Sequence, residues 1–164
     1  MINSDNTARL SFEGEYRVDS IDIRDSIGFL ATKLREKFSF AFDEYTKAQY
    51  ELEHKQVGIL WVCLNQEISQ IKLCDYIQVD KNYVRILLDD MEQKGFIYRQ
   101  RNPKNRQQNL ILLTDSGKEI AKKSYKYMLK MQKKLLLSHI DSDEIETLHR
   151  ILFKLFEGDF DTSD

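Results

Sequence analysis

Cysteine, proline and glycine are all scarce in this chain, with two Cys, one Pro and six Gly in 164 residues. Cys63 and Cys74 form no CxxC pair and stand at no zinc spacing with histidine, so neither a disulfide framework nor a metal site is expected. Few prolines and glycines, with Leu, Ile, Phe, Val and Tyr spread throughout, argue against a disordered chain and for a mostly helical one. No apolar run approaches the roughly 18 to 20 residues that span a bilayer. The first twenty residues also lack the charged-then-apolar order of a secretory signal, so a cytoplasmic protein with no membrane partner is expected. Catalytic signatures are missing too: there is no Gly-rich phosphate loop, no G-x-S-x-G elbow and no H-E-x-x-H pair, and His54, His139 and His149 are scattered. The expectation is a protein that is not an enzyme and carries no cofactor.

An overall positive charge is also absent, the net charge being -2, yet one exists locally. Residues 1–67 carry 8 Lys/Arg against 12 Asp/Glu, residues 68–114 carry 8 against 5, and residues 115–164 carry 9 against 10. Only the middle segment is basic. Contact with phosphate is short-ranged and screened by salt, so a nucleic-acid binder needs such a local face rather than a high isoelectric point. An excess this small is equally at home on an ordinary solvated surface.

Residues 68–114 carry more than charge. Upstream, Ile23, Ile27, Leu30, Leu34, Phe38, Ala41, Phe42 and Tyr45 form a long helical stripe, with Asp22 as its expected N-cap. A second helix starts near Glu53, placing Val57, Leu60, Trp61 and Leu64 on one face and stopping at Asn65. A short helix over about 69–76 follows, with Ile71 or Leu73 turned inward together with Ile77, then a turn at Gln78-Val79-Asp80. Asp80 caps a helix over 81–94 whose buried stripe is Val84, Leu87, Leu88 and Met91 and whose stop is Gly95.

Two short helices around so tight a turn are the helix-turn-helix arrangement, which presents its second helix to the DNA major groove. The outward residues of that helix are Lys81, Asn82, Tyr83, Arg85, Ile86, Asp89 and Asp90. Asn82 suits adenine, Arg85 suits guanine or phosphate, and Tyr83 suits a phosphate oxygen or a thymine methyl. Asp89 and Asp90, repelled by phosphate, are expected to point away from it. A solvated helix face is the plainer alternative. The balance tips with two β-rich segments, 96–101 and 109–113, around an expected polar turn over 102–108 that holds the only proline. Arg99, Arg101, Lys104 and Arg106 in or next to this turn suit a basic ribbon that grips phosphate and inserts into the minor groove.

This chain resembles the MarR family of bacterial transcription regulators over about residues 22–157. The matching landmarks are Leu52-Glu53-His54-Lys55-Gln56-Val57-Gly58-Ile59-Leu60, then Met91-Glu92-Gln93-Lys94-Gly95, then the ribbon and Leu113-Thr114-Asp115-Ser116-Gly117. The resemblance implies a mainly α fold with a small β-hairpin wing: a winged helix-turn-helix lobe between N- and C-terminal dimerisation helices. It further implies a homodimer on a pseudo-palindromic double-stranded DNA operator, more often a repressor than an activator. Effectors in such families are often small phenolic or lipophilic molecules, or oxidants. One departure stands out. The family's wing reads D-x-R or D-R-R where this chain has Asn105-Arg106-Gln107, so the customary Asp-to-Arg ion pair cannot form. Ile86 likewise stands where the family often has Arg, which favours an apolar contact with thymine.

The expected organisation is an N-terminal extension over 1–20, a dimerisation helix in 21–50, the DNA-binding lobe over 51–114, dimerisation helices over 115–157 and a tail over 158–164. Thr114 is suited to cap a helix reaching Leu137, with Ile120, Tyr127, Met128, Met131 and Leu135 on its apolar side. Asp141 to Glu144 is suited to start a last helix carrying Ile145, Leu148, Ile151, Leu152, Leu155 and Phe156. That is more apolar surface than one small lobe covers, which favours a second copy over an intramolecular bundle. The family's effector pocket would fall near Phe38, Phe42, Tyr45, Trp61 and Tyr125, each of which also reads as core. Cys63 and Cys74 are candidate redox positions, with buried inert thiols as the alternative. A winged-helix protein-interaction module with weak or lost DNA binding is the competing reading.

Overall fold

The computed structural model describes residues 22–77 and 79–158. The expected N-terminal extension, Gln78 of the expected turn and the tail beyond Gly158 lie outside the described residues.

Two compact units divide the chain, Met1–Ala41 and Phe42–Asp164. In the first, Asp22 accepts a hydrogen bond from the Arg24 amide and caps a 3-10 turn at Ile23–Asp25, not the long helix. Helix α1 (Ile27–Tyr50) begins instead at Ser26, whose hydroxyl accepts from the Phe29 amide at 3.2 Å. The cap moved because both residues are good N-caps and the chain turns once between them. Ile23, Ile27 and Leu30 are exposed on this stretch, while Leu34 and Phe38 are half-buried.

The second unit contains the end of α1, then α2 (His54–Asn65), β1 (Ile68–Ser69), α3 (Gln70–Ile77), α4 (Lys81–Gln93), β2 (Ile97–Asn102), β3 (Asn105–Leu113), α5 (Asp115–Leu137) and α6 (Ser142–Glu157). The described residues are mainly helical, with one antiparallel sheet in the order β1-β3-β2. β1 was not expected, since two residues carry no detectable alternation. Ile68 pairs with Ile111 and Ser69 with Leu110, and the Ser69 hydroxyl then accepts from the Lys72 amide to start α3. Within α3 it is Leu73, with Cys74, that turns inward, and Ile71 points to solvent.

The core of the lobe is closed. Leu52, Val57, Ile59, Leu60, Leu73, Val84, Leu88, Met91 and Ile111 are fully buried, at roughly 1.5 to 3 kcal/mol each for the larger side chains. Gly117 explains itself sterically: a Cβ there would sit 2.0 Å from the Phe96 carbonyl oxygen. Thr114 ties the same corner. Its hydroxyl donates toward the Gly95 carbonyl at 2.7 Å and accepts from the Gly117 amide, capping α5 as expected. The capping box of Asp141 and Glu144 forms at the start of α6. No residue of α6 is buried, and Ile151, Leu152, Leu155 and Phe156 all face solvent.

Candidate nucleic-acid interface

Helix α4 is built as its sequence demands. Asp80 accepts from the amides of Asn82 (2.8 Å) and Tyr83 (3.4 Å), satisfying two of the orphan donors of the first turn. At the other end Gly95 takes a φ of +74°, the left-handed conformation that costs glycine least. With Val84, Leu87, Leu88 and Met91 turned inward, the opposite face must project Lys81, Asn82, Arg85 and Ile86 into solvent. Ile86 is 59% exposed, an apolar side chain on an otherwise polar surface. Tyr83 stands apart from its neighbours. It is half-buried, its hydroxyl donates to Glu53 at 3.0 Å, and Lys55 lies 5.0 Å from the ring centroid. Burial and the Glu53 hydrogen bond push its phenol pKa up.

The three acids of α4, Asp89, Asp90 and Glu92, are all occupied. The Asp90 carboxylate accepts from Gln56 Nε2 at 2.7 Å and from Lys94 Nζ at 2.8 Å. Partial burial works to raise its pKa, but the bonds from Lys94 and Gln56 outweigh it and leave the carboxyl below its ordinary value. Gln56 is 4% exposed and also accepts from the Glu53 amide through Oε1 at 2.9 Å. Lys94 reaches on to the Glu51 carbonyl at 2.7 Å, at the one described non-glycine residue with a positive φ. This network holds the end of α1 and the start of α2 against α4. The spacing of Leu52, Gln56 and Leu60 marked the segment, but nothing in the sequence pointed Gln56 at Asp90.

The wing is longer and tighter than expected. β3 begins at Asn105, and the turn shrinks from seven residues to Pro103-Lys104. Proline presets the first turn position, and the Asn102 side chain accepts from the Lys104 amide at 2.9 Å, so two residues suffice to reverse the chain. The Asn105 side chain accepts from the Gln107 amide at 3.1 Å. Arg101, Lys104 and Arg106 are exposed, and among the described residues no carboxylate pairs with them. Arg99 differs: it lies at the base of the ribbon, opposite Ile111, and is paired with Asp89 and Glu92 of α4. Lys81 of α4 and Gln107 of β3 line one cavity of about 180 Å3 with Gln70, Ile71 and Cys74, so recognition helix and wing present a continuous surface.

The expected pocket residues pack on one another. Phe42 lies 5.5 Å from Trp61 and 6.4 Å from Tyr127 between ring centroids, Tyr45 stacks on Tyr127 at 3.4 Å, and Tyr125 meets Trp61 edge-on. Trp61 Nε1 donates to the Ala121 carbonyl at 3.0 Å, and Tyr125 is partly exposed. Tyr127, read from the sequence only as an apolar residue of α5, is central to this cluster. Phe38 belongs to the other unit. Both thiols are held protonated: burial pushes Cys63 up to about 12, and raises Cys74, which donates to the Gln70 carbonyl. Among the described residues no group of three His, Cys, Asp or Glu is placed to hold a metal ion, and no helix is long and apolar enough to cross a membrane.

The MarR family model matches residues 52–108, which run from just before α2 to the middle of β3 in the wing. HTH-type transcriptional regulator BilQ of Clostridium symbiosum is 23% identical over 137 residues, covering 81% of this chain and 92% of that protein. The uncharacterized HTH-type transcriptional regulator YdcH of Bacillus subtilis is 31% identical over 77 residues, 44% of this chain, and the match spans about half of that relative's length, 52%. Among solved structures, wild-type MarR of E. coli in its apo form superposes with a TM-score of 0.74 at 23% identity, over 83% of this chain and 98% of that one. A mutant MarR of E. coli complexed with operator DNA superposes at 0.67 and 23% identity, over 82% and 99%.

Proposed function

We propose, from the premise that this chain is a MarR family winged-helix protein through its residues 52–108, that it binds a pseudo-palindromic double-stranded DNA operator as a homodimer and represses the adjoining genes. One observation carries the reading: α4 buries Val84, Leu87, Leu88 and Met91 and thereby projects Lys81, Asn82, Arg85 and Ile86 together, next to a ribbon whose tip cations have no carboxylate partner among the described residues. In this reading Asn82 and Arg85 contact base edges, Ile86 packs on a thymine methyl, and Arg101, Lys104 and Arg106 reach phosphate and the minor groove. Tyr83, tied to Glu53, supports the helix more than it reads sequence. The expected roles of Asn105 and Gln107 narrow to shaping the tip, because the Asn105 side chain is spent on the Gln107 amide.

Dimerisation is supported by what is left uncovered. α6 is amphipathic with no residue buried, and the 3-10 turn and the start of α1 expose Ile23, Ile27 and Leu30. Two copies related by a two-fold axis offer two recognition helices to successive turns of DNA. For the effector, the protonated state of both cysteines favours a small lipophilic or phenolic molecule over an oxidant. Such a molecule would have to part rings that now stack on each other around Tyr45 and Tyr127.

Selection of bound duplexes from a randomised DNA pool, followed by titration of the winner at several salt concentrations, tests the reading. A two-fold-symmetric motif, two chains per duplex and an affinity falling steeply with salt are expected. Absence of any sequence preference at low salt would replace it with the protein-interaction module.

A further inference from the structure

We propose that Arg99 is a positioning residue, clamped by Glu92 and Asp89 of the recognition helix so that it sets the angle of the wing against that helix instead of touching DNA. Its consequence for binding rests on the DNA-binding reading above; the clamp itself does not.

Three contacts build it. The Arg99 amide donates to Glu92 Oε1 at 2.9 Å, its Nη1 donates to Oε2 of the same carboxylate, and its Nη2 donates to Asp89 Oδ1 at 2.6 Å. Glu92 therefore holds both the backbone and the side chain of one strand residue, and Asp89, one turn earlier on the same face, accepts from the second terminal nitrogen, Nη2. A planar guanidinium suits this, because its donors match two carboxylates at once. The Arg99 side chain is only 18% exposed. Arg101, Lys104 and Arg106 on the same ribbon are exposed with no such partner among the described residues, so one of the four wing cations is spent inside the protein.

Position makes the clamp consequential. Arg99 is third in β2 from its start at Ile97, and the turn lies beyond Asn102. The tip is thus about 13 Å from Arg99 at roughly 3.3 Å per residue. A pivot of about 10° at the base displaces the tip by about 2 Å, enough to break a hydrogen bond. A wing free to pivot is binding-competent only part of the time, and apparent affinity falls by that fraction.

The opposing possibility is that Arg99 meets phosphate directly, and the two differ in sign. If Arg99 contacts DNA, removing it lowers the slope of log affinity against log salt by about 0.9, whereas Glu92→Gln deletes a nearby negative charge and tightens binding. If Arg99 is a clamp, Arg99→Met and Glu92→Gln both weaken binding of the selected duplex, by about ten-fold for Arg99→Met, with an unchanged salt slope. The double variant should be no worse than Arg99→Met, because both break one unit. Arg99→Lys, which keeps the charge but cannot span two carboxylates, should fall between wild type and Arg99→Met. Amide hydrogen exchange on the DNA-free protein supplies the second readout: faster exchange in β2 and β3 of Arg99→Met and Glu92→Gln, with α2 and α5 unchanged, supports the clamp. Unchanged wing exchange, a lowered salt slope or tighter binding by Glu92→Gln would overturn it. A wild-type chain with no sequence preference would refute the DNA reading while the exchange result still decided the clamp.

Discussion

The lobe from Leu52 to Thr114 and the last helix, α6, are both amphipathic in sequence, but only the lobe finds partners for its apolar side. Within the lobe, Leu60, Leu73, Leu88, Met91 and Ile111 are sealed, and the buried Gln56 is paired with the half-exposed Asp90. In α6 the capping box is complete and the apolar face is regular, yet Phe156 remains 85% exposed. A helix that is well started and unburied is the surface that the proposed homodimer would cover. The contrast separates what this chain finishes by itself from the face on which the proposed dimer depends.

The strongest way to sharpen the contrast is to damage the lobe. Leu88→Ala, at a position with no exposed surface, should cost about 3 kcal/mol, read as a lowered midpoint in urea unfolding. Gly117→Ala comes next, at about 2 to 3 kcal/mol, because the added Cβ meets the Phe96 backbone and the corner between wing and α5 must shift. Gln56→Ala should cost about 1 to 2 kcal/mol by stripping Asp90 of a partner. The same pair yields a pH signature. Asp90 holds its proton less tightly when folded than when unfolded, so its contribution is fully present above the unfolded carboxyl value of about 3.9 and is lost as pH falls through the lower folded value. Asp90→Asn should flatten that part of the stability curve. Smallest in stability, yet largest in assembly, is the pair Leu152→Glu with Phe156→Glu: unfolding of the dilute chain should change by less than about 0.5 kcal/mol, while sedimentation shifts from dimer to monomer. A loss of several kcal/mol in the dilute chain would instead place α6 in an intramolecular core.

Much of this was legible in the chain because it depends on local chemistry. Asp80, Gly95, Thr114 and the Asp141–Glu144 box each cap a helix end within four residues of themselves, and the stripe of α4 follows from its period. The misplaced features have equally definite causes. Asp22 lost α1 to Ser26 because two good caps lay four residues apart. The wing turn was overestimated because polar residues on an exposed ribbon look like loop, although they are strand. β1 is too short to leave a pattern. Arg99 was grouped with the tip cations because sequence distance does not reveal which carboxylates come back to meet a side chain.

From its sequence alone this protein is determined to be helical with a basic ribbon, and helix α4 is assigned its inner and outer faces, since periodicity and capping are properties of adjacent residues. Only the tertiary structure decided which cations remain free. Arg99 and Arg101 differ by two residues and by no local rule, yet one is held by Asp89 and Glu92 and the other faces solvent. Folding brings the end of α4 against the base of β2, and ion pairing is settled by proximity in space, which the order of residues along the chain does not state.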